Sequence, residues 1–185
     1  MEKAVVKLLE KLELAEAQTY GNMTVFPLCL ENGKAPEYLT LKQAMEKKVL
    51  TVEEVDEGGS VPELRARNKA DSPIMLIDGE ELIGAKQNRI VNLTILLKKK
   101  AATRIPVSCV EQGRWSYQSR AFADSDEVAP RKLRARKVAA VSENMEVHDS
   151  RASNQGEVWD SVEELQSNLS VGSATSAMKK ALKSY

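Results

Sequence analysis

Residues 84–97, GAKQNRIVNLTILL, and 102–110, ATRIPVSCV, are two runs of strand-forming residues joined through the polar segment KKKAA at 98–102. Side chains on a strand alternate between faces, so Gln87, Arg89, Val91, Leu93, Ile95 and Leu97 share one face of the first run. On the return run the matching set is Ile105, Val107, Cys109, Glu111, Gly113 and Trp115. A loop over 98–102 sets Ile95 opposite Ile105, Leu93 opposite Val107, Val91 opposite Cys109 and Arg89 opposite Glu111. The sequence thus predicts a central β-hairpin whose apolar face becomes polar at one end, with Arg89 and Glu111 meeting there.

Glu80, Glu81, Lys86, Gln87, Asn88, Gln112, Arg114 and Trp115 fall within a few residues of that end. Arg89 and Arg114 suit phosphate or carboxylate through the guanidinium fork, and Lys86 through its point charge. Trp115 or Tyr117 suits stacking on a base. Glu80, Glu81 and Glu111 are the candidate catalytic groups, suited to a general base or to ribose hydroxyls. Lys86, Gln87, Asn88, Arg89, Gln112, Arg114 and Trp115 are the candidate ligand-binding set. The competing reading is a structural network, in which Arg89 and Glu111 satisfy each other with little net stabilisation.

Outward from the hairpin, Val5, Leu8, Leu9 and Leu12 recur at helical spacing and predict an amphipathic helix over 2–17. MTVFPLCL at 23–30 reads as a strand, with Pro27 marking an edge or a bulge. Thr40 and Gln43 form a capping box that opens a helix over 41–48. LTVEEV at 50–55 and VPELRAR at 61–67 flank Gly58-Gly59 as a hairpin. Asp78-Gly79 after PIMLI signals a tight turn.

Beyond Phe122, ADSDEVAP reads as a loop, and Pro130 suits the first turn of the helix that follows. Val138, Val141 and Met145 are expected to line one face of that helix. Val158, Val162, Leu165 and Leu169 are expected to line the next, which starts near Gln155, and a last helix is predicted over 174–183. No internal repeat is seen.

These elements make an α+β domain: a mainly antiparallel β-sandwich or barrel-like core over about 20–120, an N-terminal helix, and a C-terminal helical extension over about 130–185. The length of 185 residues suits a single domain, residues 1–185, able to bury a core without staples. Lys+Arg and Asp+Glu both number 27, so the net charge gives no general attraction to nucleic acid or anionic membrane. RKLRARK at 131–137 has five basic residues in seven, but reads as a solvated helix face.

Two cysteines, Cys29 and Cys109, are too few for a disulfide framework, and Cys109 sits among apolar residues as a small hydrophobe. His148 is the single histidine, which argues against a zinc site of His and Cys ligands, and no metal site is expected. No apolar run reaches the ~20 residues of a membrane span, and MEKAVVKLLEKLEL does not read as a signal peptide. The expected setting is cytoplasmic, with no membrane partner; a homo-oligomer is compatible with the composition. No spacing matches a phosphate-loop or dinucleotide fingerprint, so no cofactor is assigned.

The segments DGEELIGAKQNRIVNLTILL, IPVSCVEQGRWSY and SNQGEVWDSV resemble the ARG and rhodanese-phosphatase-superfamily-associated protein domain family, over roughly Tyr20 to Val162. KKKAA stands where relatives are expected to carry a Pro-Ala-Gly-Ser-like turn. The resemblance implies a link to NAD or ADP-ribose metabolism, drawn from the domains associated with the family, and no catalytic residues carry over from it. The expected function is therefore binding or processing of a phosphorylated, nucleotide-like small molecule at the polar cluster. The alternative is a non-catalytic protein-interaction module in which the Arg89 and Glu111 cluster is structural.

Overall fold

Alternating side chains at Leu50, Val52 and Glu54, and again at Leu64, Ala66 and Asn68, give two strands with one buried face each, and they pair. The computed structural model describes residues 2–30, 37–56, 58–59 and 62–184. The chain divides into two units, Met1–Pro36 and Glu37–Tyr185.

In the first unit, α1 (Glu2–Leu9) is followed by β1 (Leu12–Leu14), β2 (Gln18–Tyr20), β3 (Met23–Val25) and β4 (Leu28–Leu30). The helix expected over 2–17 therefore ends at Leu9, and Leu12 starts a strand instead. MTVFPLCL is split around Phe26-Pro27, because proline has no N–H to give a ladder. β2 pairs with β3 and β1 with β4, both antiparallel.

The second unit begins with β5 (Leu39–Thr40) and α2 (Leu41–Glu46). The capping box forms as the sequence predicts: the Gln43 N–H donates to Thr40 Oγ1, and the Thr40 N–H donates to Gln43 Oε1. β6 (Leu50–Glu54), β7 (Glu63–Asn68), β8 (Ile74–Leu76), β9 (Glu80–Gly84), β10 (Arg89–Val91), β11 (Ile95–Leu97), β12 (Ala102–Cys109) and β13 (Phe122–Val128) follow. The C-terminal helices are α3 (Arg131–His148), α4 (Gln155–Asn168) and α5 (Met178–Leu182), the last shorter than expected.

Six strands in the order β13-β9-β10-β12-β7-β6 make one antiparallel sheet. It curls into a half-barrel until its edge strands meet at a bridge between Glu53 and Ala121. The fold is α+β, and its core takes the barrel-like arrangement. Gly84 makes the curl feasible at the end of β9: its φ is +119, and a Cβ there would lie 2.5 Å from Ser119 Oγ.

Two apolar cores result. Inside the barrel, Val52, Leu64, Leu82, Val91, Ile105, Val107 and Phe122 pack together, closed at one end by Leu41 and Ala44 of α2 and by Ile74, Leu76 and Leu97 of the small sheet β11-β8-β5. Outside, Ile90 and Val110 pack under Leu133, Val158, Val162 and Met178 of the C-terminal helices.

The central hairpin is where the structure departs most from the sequence reading. The first run is not one strand. It breaks after Val91, and β11 leaves to pair with β8, setting Ile95 against Leu76. Lys137 Nζ takes the carbonyls of Val91 (3.1 Å) and Asn92 (2.7 Å), while Asn92 Nδ2 donates to the Arg151 carbonyl and its Oδ1 accepts from Ser108. Lys137 thus ties the carbonyls at the break to the helical layer, while the Asn92 N–H still donates to the Pro106 carbonyl at 3.0 Å and the proline has no N–H to return.

The register also moves by two residues: Val91 faces Val107 and Arg89 faces Cys109, so Arg89 and Glu111 are not partners. The Asp78-Gly79 turn forms, with Gly79 at φ +85, but it passes the chain from the small sheet into the barrel. ADSDEVAP, expected as a loop, is mostly β13, an edge strand with a bulge between Asp124 and Val128. Its charges hide the strand because an edge tolerates them. On α3 the buried positions are Leu133, Lys137 and Val141, while Val138 and Met145 are exposed. The expected stripe was displaced because a buried lysine stands in it.

Candidate functional site

Sheet parity sorts the predicted residues. Arg89 lies across from Leu82 and Cys109 and shares the inner face of the barrel with them. Glu81 lies across from Ile90 and belongs to the outer face, under the helices. Glu80 is half-buried, and its Oε2 accepts the Ile77 N–H at 2.8 Å; burial raises its carboxyl, against that bond. Gln112 is exposed beside Trp159 and Gln166, at a separate hollow.

Arg114, Glu111 and Asn88 form a latch. Arg114 Nη2 donates to Glu111 Oε2 at 2.6 Å and to Asn88 Oδ1 at 3.1 Å, and its Nη1 donates to the carbonyls of Ala85 and Ser116. Glu111 also accepts the Asn88 N–H (3.1 Å) and the Thr175 hydroxyl (2.8 Å). Burial pushes the Glu111 carboxyl up, but the bonds from Arg114, Thr175 and Asn88 outweigh it and hold it below the usual range. With these donors and acceptors engaged, Arg114, Asn88 and Glu111 hold the 84–88 turn to the 111–116 loop. A phosphate or a substrate proton would have to displace bonds already made.

Arg89 is different. Its side chain is 0% exposed, its Nη1 donates to Gln87 Oε1 at 2.7 Å, and its Nε and Nη2 have no hydrogen-bond partner. No ion pair to Arg89 is present among the described residues. A guanidinium is always charged, and burying it without compensation is costly. Gln87 is fixed in turn: its Nε2 donates to the Glu111 carbonyl at 2.9 Å, and its Oε1 also accepts the Cys109 thiol at 3.1 Å. That bond and full burial leave Cys109 a packing residue.

Above Arg89, the Trp115 ring centroid is 5.7 Å from the guanidinium carbon. Lys86 Nζ lies 5.2 Å from the Trp115 centroid and 5.1 Å from that of Tyr117, and donates to the Gly58 carbonyl at 2.6 Å. Trp115 and Tyr117 are 49% and 51% exposed, so they form an aromatic mouth. An open cleft of about 900 Å³ lies at this rim, lined among others by Glu54, Arg65, Tyr117 and Arg120.

Glu54 was not singled out from the sequence. It is 8% exposed and shares the inner parity of Leu50 and Val52, and neither carboxylate oxygen has a hydrogen-bond partner. The alternation Leu50, Val52, Glu54 carried the signal: a carboxylate at the third inward position of a buried-face strand.

The outer face holds its own buried acid. Burial raises Glu81 to about 7, while the Ser125 hydroxyl and Lys179 pull the other way. Neither oxygen makes a well-formed hydrogen bond, the nearby Ser125 hydroxyl included. Four of the five cations of the basic segment 131–137 are paired, two to each of two carboxylates: Lys132 and Arg136 with Glu164, and Arg134 and Lys137 with Asp78. Among the described residues no cluster of His, Cys, Asp and Glu could hold a metal ion, and no helix is long and apolar enough to cross a membrane.

No curated protein and no solved structure matches the chain. One family model does match, over residues 11–185, so the likeness extends past the Tyr20 to Val162 span of the sequence motifs to take in the end of α4 and all of α5. With the match spanning the barrel, its mouth and the helices over its outer face, the chain belongs to the ARG and Rhodanese-Phosphatase-superfamily-associated Protein domain family.

Proposed function

We propose that the polar cluster at the mouth of the barrel binds a phosphorylated, nucleotide-like ligand of the ADP-ribose or NAD class, with its anionic group on Arg89 and its base or ring against Trp115 and Tyr117. The observation that carries this reading is the buried Arg89 guanidinium with two unpartnered nitrogens beneath an exposed tryptophan. An oxyanion supplies the compensation that the protein itself does not, and a guanidinium receives it in two parallel bonds. The adjoining cleft, which shares Tyr117 with the mouth and is not lined by Arg89 or Trp115, has the volume of a small-molecule site. The link to ADP-ribose or NAD metabolism that the family resemblance implies favours the same ligand class.

Glu111 and Arg114, two of the residues the sequence offered for this role, serve the reading only by shaping the site. Their engagement supports the structural half of the alternative, in which part of the cluster is a framework.

The test is thermal-shift and calorimetric titration of the full chain with ADP-ribose, NAD and inorganic phosphate, beside Arg89→Met. Ligand present at 100 times its Kd stabilises by about 2.7 kcal/mol, which raises Tm by several degrees. That rise is expected in the wild type and lost in Arg89→Met. Absence of any shift in the wild type overturns the proposal.

A further inference from the structure

The neutral net charge of the chain hides a segregation at the end of the barrel remote from Arg89. Arg89 lies across from Cys109, the last residue of β12, whereas three connections meet around Ala102, its first. They are 47–49 between α2 and β6, 69–73 between β7 and β8, and 98–101 between β11 and β12. The Lys69 N–H donates to the Val49 carbonyl at 2.8 Å, the Asn68 N–H to the Ala101 carbonyl at 2.9 Å and the Lys100 N–H to the Ala70 carbonyl at 3.2 Å. Asn68, 1% exposed at the end of β7, pins two of the connections: its Nδ2 donates to the carbonyls of Ser72 and Lys98, and its Oδ1 accepts the Ala70 N–H.

This fixed frame carries Lys47, Lys48, Arg67, Lys69, Lys98, Lys99 and Lys100, all of them exposed. Asp71 is the one acid of the three connections, and it pairs with Lys100 at 2.6 Å. Among the described residues no other ion pair reaches these cations. Like charges held this close repel one another. Lys48 and Lys100 also take φ of +55 and +50, in the left-handed region that glycine enters without the cost of a Cβ. The C-terminus of α2 favours a cation, which accounts for Lys47 and Lys48 at most. For the others, repulsion opposes folding, and at Lys100 so does the backbone. What offsets both is a partner with many negative charges.

The three connections carry no aromatic side chain to stack on a base and no exposed large apolar one to enter a bilayer. Lysine is a point charge that accepts phosphate without a fixed geometry. An open hollow of about 280 Å³ lies between Arg67, Lys69 and Lys100. We infer that this end of the barrel is a docking surface for the phosphate backbone of double-stranded nucleic acid, held without regard to sequence. The surface is independent of the anion site proposed at Arg89.

The experiment is fluorescence anisotropy of the full chain with a short labelled duplex of mixed sequence between about 50 and 200 mM salt, beside vesicles of phosphatidylcholine and phosphatidylserine. Each phosphate contact adds about −0.9 to the slope of log affinity against log salt, which makes it worth about tenfold at ~0.1 M. Replacing Lys98 and Lys99 together by Gln is expected to weaken duplex binding at least tenfold and to flatten the slope by about 2. Arg131→Gln, in the basic segment of α3, is expected to change neither. No duplex binding by the wild type, an affinity that the Lys98 and Lys99 double variant keeps, or an equal loss in Arg131→Gln overturns the inference. Vesicle binding that depends on the same lysines, without duplex binding, assigns the surface to anionic lipid and overturns it as well.

Lys100→Gly separates recognition from support. Glycine relieves the left-handed backbone, so Tm is expected to hold or rise while duplex binding weakens. A fall of several degrees marks Lys100 as a structural residue and overturns its part in the surface.

Discussion

Arg114 Nη2 donates to Glu111 Oε2 at 2.6 Å, and the two side chains are 7% and 6% exposed. The pair sits three residues apart in one loop and ties that loop to the 84–88 turn and to Thr175. Removing one partner leaves the other buried and charged. Glu111→Gln or Arg114→Met is therefore expected to cost about 3–5 kcal/mol in chemical denaturation. A loss below about 1 kcal/mol would show that the latch is dispensable.

The same pair fixes a pH dependence. The folded Glu111 carboxyl titrates below the 4.5 of its unfolded state, so its stabilisation is fully present above 4.5 and fades as pH falls through the lower folded value. Wild-type stability is expected to drop in that acid window, and Glu111→Gln to lack this part of the drop. Parallel denaturation curves from neutral pH into that window decide it.

Glu81 predicts the opposite slope. Its folded value of about 7 lies above 4.5, so the contribution to stability is complete below 4.5 and is lost as pH rises through about 7. At alkaline pH the buried charge costs about 3 kcal/mol at ~1.4 kcal/mol for each pH unit of displacement. Glu81→Gln is expected to match the wild type in mild acid and exceed its stability above neutrality. Equal curves at alkaline pH would show that the carboxylate is solvated there.

Lys137 is 1% exposed, and its ammonium binds Asp78 and the carbonyls of Val91 and Asn92, at the break between β10 and β11. Lys137→Ala leaves the two carbonyls without that donor and removes one of the two cations beside Asp78, the other being Arg134. A loss of about 3 kcal/mol is expected. Amide exchange should rise most in 91–97, where the chain changes sheets; uniform loosening would refute that local role.

Arg89→Met is expected to keep or raise Tm, by about 3 °C for each kcal/mol gained in a chain of this size, while abolishing ligand-dependent stabilisation. A residue retained for support would lower Tm instead.

The sequence by itself determined the element types wherever local chemistry is self-sufficient. The Thr40 and Gln43 box, the Leu50 to Asn68 hairpin with its alternating burial, the Asp78-Gly79 turn and the Val158 and Val162 stripe all follow from residues within a few positions of one another. It also grouped residues that the fold brings together, since Arg89, Gln87, Lys86 and Trp115 lie beside one another. What it did not fix was which groups there are spoken for. Glu111 is consumed by Arg114 and by Thr175, 64 positions away, and Lys137 takes the Val91 carbonyl at the end of β10 from 46 positions away. Glu54 comes beside Tyr117 and Arg120 only because the sheet curls until β6 meets the segment before β13. Pairing across such distances depends on competition among all the buried polar groups of the fold, and a polar group's freedom to bind is what remains when that competition is over.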